Sequence, residues 1–211
     1  PMTAVERRAG VAAGEVLPEQ WGAASRPLDF FDVKGEIERV FAMRGAADGL
    51  EFDAADLPWM HPGACAVLRL EDEAIGWCGA VHPTALKAFD IKKAVFAFEI
   101  DLDKLLQREI PYAKTISRFP SVRRDLALLL PEDVSYAAVR ACVTDSAGPL
   151  LEQVTVFDVY QGPNLKENYK SLAIGLIFND VSSTLRDEDV DSAITGVVAA
   201  LERHLGAQLR G

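Results

Sequence analysis

Cysteine, histidine and positive charge are all scarce in this chain of 211 residues, and each shortage excludes something. The three cysteines, Cys65, Cys78 and Cys142, are odd in number and far apart, with no CxxC pair and no histidine at ligand spacing. That excludes a disulfide framework and a recognisable zinc site, and it reads as free thiols buried in a reducing, cytoplasmic compartment. Long apolar runs are missing too. Although 49% of the residues are hydrophobic, no uninterrupted stretch reaches the roughly 18–20 residues needed to span a bilayer, so no membrane partner is expected. The opening PMTAVERRAG has no apolar segment behind its charges and hence no secretory signal. It begins at Pro1 rather than at methionine, as expected of a piece of a longer chain.

Lysine and arginine total 22 against 32 aspartates and glutamates, a net charge of −10. That is the wrong sign for a protein that grips nucleic acid through phosphates alone. The deficit is uneven. Residues 1–111 hold 12 basic side chains against 19 acidic ones, net −7, whereas residues 112–211 hold 10 against 13, net −3. The second half is near balance and leaves room for RNA contacts made base by base.

What is present divides at about Pro111. Before it, VERRAGVAAG reads as a strand with Trp21 in the loop that follows. DFFDVKGEIERVFAMRG then changes period: Phe30, Val33, Ile37, Val40 and Phe41 recur at helical steps, with Asp29 and Asp32 in the first turn and Gly45 past the end. The close carboxylates Asp29, Asp32, Glu36 and Glu38 read as capping and solvated helix face rather than a metal or catalytic cluster. LEFDA, ACAVLRLEDE, AIGWCGAVHP and KAVFAFEIDLDKLL read as strands, the middle two forming a hairpin, with a short helix over residues 83–89. His61 and His82 each precede a proline at a strand end, where structural hydrogen bonding is the expected role. Gly76-Trp77-Cys78-Gly79 is too short for a phosphate loop, since no lysine or helix start follows it.

After a polar connector over residues 108–117 the pattern becomes regular. Residues 124–130 form a strand, and Ser135 caps a helix running to Ala147 with Val139, Cys142 and Val143 inward and Gly148 as its stop. Two strands, within residues 151–180, are joined by a polar loop over 161–168. Thr184 and Asp187 suggest a capping box for a last helix striped by Val190, Ile194, Val197, Val198, Leu201 and Leu205, ended by Gly206 and followed by a strand over 207–210. The order βαββαβ is that of a ferredoxin-like domain, with four antiparallel strands and both helices on one face.

Strand alternation then sorts the side chains. Phe157, Val159, Leu172, Ile174, Leu176 and Phe178 fall on the face under the helices. Val156, Asp158, Tyr160, Tyr169, Ser171, Ala173 and Gly175 fall on the open face, with Ala127 of the first strand. An aromatic, a carboxylate, a hydroxyl and small residues on an open sheet suit a splayed, stacked base, and Asp158 as an acceptor suits guanine. The same composition also suits an ordinary solvated face.

SRFPSVRRDLALLL, FDVYQG, NYKSLAIGLIF and TLRDEDV are similar to the C-terminal anticodon-binding domain of bacterial phenylalanyl-tRNA synthetase beta subunits. LDFFDVKGEIERVF, MHPGACA and IGWCGAVHP resemble the domain that precedes it there. The resemblance covers nearly the whole chain and implies an α+β protein of two domains. Residues 1–111 would be a catalytically inactive class II synthetase-like core, an antiparallel sheet with helices, and residues 117–211 a ferredoxin-like anticodon-binding domain. It also implies an α2β2 assembly with a catalytic alpha subunit that uses ATP and magnesium, no cofactor in this stretch, and no catalysis by this chain alone. On the matching motif positions, Tyr160 would stack the first anticodon base of phenylalanine tRNA, Asp158 and Ser171 would hydrogen-bond it, and Ala127 would give it room. Arg118, Arg123 and Arg124 would contact RNA backbone or, equally, form interdomain salt bridges. Two other classes use the same fold order: a regulatory module that binds a small molecule or pairs by its sheet, and an acylphosphatase-type enzyme. The latter needs a cationic loop after the first strand, whereas residues 131–134 are Pro-Glu-Asp-Val.

Overall fold

The computed structural model describes residues 5–43, 49–107 and 116–210. They belong to two compact units, Pro1–Tyr112 and Ala113–Gly211.

The first unit is built on β1 (Arg7–Ala13), β2 (Leu50–Ala54), β3 (Met60–Leu70), β4 (Glu73–Val81) and β5 (Val95–Asp101). They form an antiparallel sheet in the order β1-β5-β4-β3-β2. β3 and β4 are the expected hairpin, and its tip residues Glu71 and Asp72 take φ values of 51° and 67°. A two-residue turn needs this left-handed pair to match the twist of its strands.

Helix α1 (Phe30–Ala42) starts at Asp29, whose carboxylate accepts from the N–H groups of Phe31 and Asp32 while Asp32 accepts from the N–H of Asp29. The two carboxylates are therefore spent on capping the helix. Arg26 Nη2 donates to Asp32 at 2.6 Å, and this bond, helped by the Asp29 N–H, pulls the Asp32 pKa down to about 2. Val33, Ile37 and Phe41 bury against Leu68, Ile75, Cys78 and Ile100 of the sheet. Val40, expected on that stripe, is 42% exposed because it stands at the rim of the buried arc and faces a surface groove. Gly45 lies outside the described residues, as do positions 108–115 of the connector.

One local departure has a local cause. The strand expected to run through Leu106 ends at Asp101, and α3 (Leu102–Leu106) follows. The Asp101 carboxylate accepts from the N–H groups of Asp103 and Lys104, an alternative to the sheet ladder that turns the chain. His82 caps α2 (Pro83–Ala88) by accepting the Thr84 N–H at 3.2 Å, and His61, inside the start of β3, accepts that of Gly63 at 3.0 Å. Each imidazole serves its own turn. Cys65 and Cys78 are buried free thiols and Cys142 is half-buried; burial, then the neighbouring Cys65, pushes Cys78 up to about 12.

The second unit runs β6 (Val122–Pro131), α4 (Tyr136–Ala147), β7 (Leu151–Tyr160), β8 (Tyr169–Phe178), α5 (Asp187–Leu205) and β9 (Gln208–Leu209), with sheet order β7-β8-β6-β9. Leu128, Leu130, Ile174, Leu176 and Phe178 bury against Val139 and Val143 of α4 and Val190, Val197 and Leu201 of α5. Ser135 caps α4 by accepting the Ala138 N–H, and Gly206 ends α5 in the left-handed region. The expected Thr184–Asp187 capping box does not form. Arg186 is the N-cap without a side-chain bond, and Asp187, Glu188 and Asp189 meet the positive end of the helix instead.

The parity reading of β7 also needs correction. Val156 pairs with Ile174 and Asp158 with Ala173, so Phe157 is an extra, unpaired residue in a β-bulge. A bulge reverses the alternation on one side of it. Val154 and Val156 therefore pack on the helix side, while Phe157 is 51% exposed. Val159 lies opposite Leu172 but is 55% exposed. No described helix is long and apolar enough to cross a membrane.

Candidate nucleic-acid interface

Three strands bring four of the sequence-chosen residues together. In one cross-strand row Ala127 of β6 lies opposite Ala173 of β8, which lies opposite Asp158 of β7. In the next row Leu129, Ser171 and Tyr160 are aligned. At about 4.8 Å between strands and about 3.4 Å per residue, the cluster spans roughly 10 Å by 7 Å, the footprint of one base. Alanines at 127 and 173 keep one row low. Asp158 is exposed, Tyr160 and Ala127 are half-buried, and Ser171 forms part of the floor at 7% exposure.

Among the described residues, neither the Asp158 carboxylate nor the hydroxyls of Tyr160 and Ser171 have a side-chain hydrogen-bond partner. A free acceptor, a free hydroxyl pair and an aromatic ring around a shallow floor can bind a flat polar ligand without first breaking protein contacts. The ring position depends on the loop after β7. A Cβ added at Gly162 would fall 2.4 Å from the Tyr160 hydroxyl oxygen, so glycine lets the ring lie back over the loop. Gly162 reads in the sequence only as a turn former, and this second role needs the ring's position to be seen.

The arginines part company. Arg123 lies on the open face, donating to Asp125 at 2.7 Å with its guanidinium 5.3 Å from the centre of the Phe157 ring. Arg124 is on the helix side, 3.0 Å from Asp187 and 3.7 Å from Asp191 of α5. Arg118 is exposed ahead of β6. Phe157 escaped the sequence reading because strict alternation assigns it to the core. Leu151 to Tyr160 contains no glycine or proline to announce a bulge.

Elsewhere the geometry argues against phosphate chemistry. Added Cβ atoms at Gly76 and Gly79 would fall 2.2 Å and 2.4 Å from the carbonyl oxygens of Glu99 and Ala64, so these glycines allow close strand contact and do not line a nucleotide cradle. They do not fit ATP. In the loop after β6, Glu132 and Asp133 are exposed, and Glu132 accepts from Gln161 and, through its carbonyl, from Lys170. An anion would meet two carboxylates there.

Comparison with known proteins follows the same division. Residues 2–102 match the family described as phenylalanyl tRNA synthetase beta chain CLM domain, and residues 117–210 match the ferredoxin-fold anticodon binding domain. The chain is 48% identical over 202 residues to a phenylalanine–tRNA ligase beta subunit of Xanthomonas oryzae pv. oryzae, 45% over 203 to one of Xanthomonas campestris pv. campestris, and 42% over 202 to one of Xylella fastidiosa. Each match takes in 96% of this chain, which spans about a quarter of the length of these curated relatives. The chain belongs to the phenylalanyl-tRNA synthetase beta-chain family and corresponds to the C-terminal part of that subunit.

Proposed function

We propose that this chain binds the anticodon of phenylalanine tRNA through its second unit and supports assembly with the catalytic alpha subunit in a cytoplasmic α2β2 phenylalanine–tRNA ligase. The observation that carries the reading is the register that aligns Ala127, Asp158, Ser171 and Tyr160 on an open sheet face, where the side-chain polar groups have no partner among the described residues. Tyr160 stacks the first anticodon base. Asp158 accepts from the ring and amino N–H groups of guanine, a donor pair that cytosine and uracil do not offer, and Ser171 adds a hydroxyl. Ala127 leaves room for the ring. Arg118 and Arg123 would contact RNA backbone in this reading, whereas Arg124 is engaged by α5.

The first unit, residues 1–111, is the inactive synthetase-like core in this proposal, and residues 117–211 are the anticodon domain. A surface groove of about 650 Å³, lined by Val16, Leu17, Phe31, Val40 and Leu105, supports an assembly role, because Phe31 at 73% exposure is costly to leave in water. ATP and magnesium act with the catalytic subunit, and the chain alone catalyses nothing.

The test is titration of the chain at low salt with a phenylalanine anticodon stem-loop (GAA) and with one whose guanine is replaced by cytosine. Preferential binding of the guanine form is expected, though weak, since an acidic chain releases few counterions. Tyr160→Ala should cost about 1–3 kcal/mol and Tyr160→Phe little. Equal binding of the two stem-loops, with no effect of Tyr160→Ala, would sink the assignment and favour a regulatory module.

A further inference from the structure

Resting on that reading, we infer that the open face has a second base-stacking position, built by Phe157 and Arg123, which takes the nucleotide adjacent to the guanine. The bulge puts an aromatic ring where alternation would have buried it, and 51% of Phe157 is exposed. On the open face that exposed ring area is available for a base to stack on. Phe157 stands three residues before Tyr160, about 10 Å along the strand, so two neighbouring bases can each have a ring only if they are splayed apart. Single-stranded RNA is read in that splayed form.

The surroundings of Phe157 are suited to a nucleotide. The Arg123 guanidinium is 5.3 Å from the ring centroid and is held by Asp125 at 2.7 Å. Gly175, in the row of Asp125 and Thr155, makes this possible: a Cβ there would fall 3.0 Å from Arg123 Nη2 and 3.1 Å from Asp125 Oδ1. The salt bridge therefore lies flat across the sheet, presenting a cation to the phosphate that joins the two bases while the ring takes the second base. Phe157 would strengthen binding with little regard to which base it stacks, since every base has a π-face, and base choice would stay with Asp158 and Ser171.

The experiment uses the whole chain, the GAA stem-loop, its counterpart with cytosine in place of the guanine, and two further stem-loops with an abasic nucleotide on either side of the guanine. Phe157→Ala should weaken binding roughly 5- to 150-fold while preserving the preference for guanine over cytosine. Phe157→Leu should lose nearly as much, and Phe157→Trp should retain affinity. One of the two abasic stem-loops should bind the unsubstituted chain more weakly, yet bind Phe157→Ala as well as the intact stem-loop does. Circular dichroism should be unchanged in all three variants, because the side chain is half-exposed. Binding of Phe157→Ala or Phe157→Leu at the level of the unsubstituted chain, with Tyr160→Ala still impaired, overturns the second position and leaves the first intact. Loss of guanine preference in Phe157→Ala also overturns it, since the residue would then act by holding the Asp158 site. No binding by the unsubstituted chain overturns both.

Discussion

Two pairs of glycines, Gly76 and Gly79 in β4 of the first unit and Gly162 and Gly175 in the second, are used in opposite ways. In β4, the space a side chain would take at Gly76 and Gly79 is filled by carbonyl oxygens of neighbouring strands, 2.2 Å and 2.4 Å from where a Cβ would be. In the second unit, the space over Gly175 holds the Arg123 and Asp125 side chains at 3.0–3.1 Å, and that over Gly162 holds the Tyr160 ring. The first pair brings backbone together. The second pair makes room for polar and aromatic side chains on a surface. A glycine in or beside a strand thus marks either structural crowding or a prepared face, and the identity of the filling atoms decides which.

Substitution can break that comparison. Gly76→Ala or Gly79→Ala should destabilise the first unit by about 3 kcal/mol, because backbone atoms must move to clear the new methyl group. Urea unfolding followed by tryptophan fluorescence is a selective readout, since Trp21, Trp59 and Trp77 all lie in this unit. A cost under about 1 kcal/mol would mean that the strands there yield as easily as side chains do. Helix α1 sets the next scale: Asp29→Ala removes the reciprocal cap and should cost about 1 kcal/mol by the same readout, with Asp29→Asn recovering most of it. Gly175→Ala should cost less than about 1 kcal/mol, since flexible side-chain ends give way, while weakening RNA binding by displacing Arg123. A large stability loss there would erase the distinction between the two pairs of glycines.

The smallest effect is a pH dependence. Asp32 has its pKa held at about 2 by Arg26 and by the Asp29 N–H, below the roughly 3.9 of an unfolded aspartate. Its folded form therefore binds the proton less readily than the unfolded chain does. The resulting stabilisation is complete above about pH 4 and is lost as pH falls through 2. The urea midpoint of the first unit should drop across that window, and Asp32→Asn should flatten the drop. An unchanged slope in Asp32→Asn would assign it to other carboxylates.

Much of this was legible in the residues themselves. The helical step of Val33, Ile37 and Phe41, the leucine alternation of β6 and the stops at Gly148 and Gly206 are set by short-range geometry, so periodicity finds them. Asp158, Tyr160, Ser171 and Ala127 were found because the segments that carry them alternate regularly, Asp158 and Tyr160 lying on the same side of the bulge in β7. Phe157 was missed for the opposite reason, since a bulge with no glycine or proline leaves no local mark and is decided by how β7 fits β8. The expected Thr184–Asp187 box, likewise, gave way to a helix start at Asp187, near Arg124 of β6.

By itself, then, the sequence determined the element order of the second unit, the two compositions of the two halves and the cluster that reads as a base platform, because each follows from the residues along one strand or helix. Only the tertiary structure decided that Phe157 faces outward, that Asp187 and Asp191 of α5 engage Arg124, and that carbonyl oxygens of neighbouring strands fill the space over Gly76 and Gly79. Those outcomes depend on which strand lies alongside and in what register, and such contacts join residues far apart in the chain.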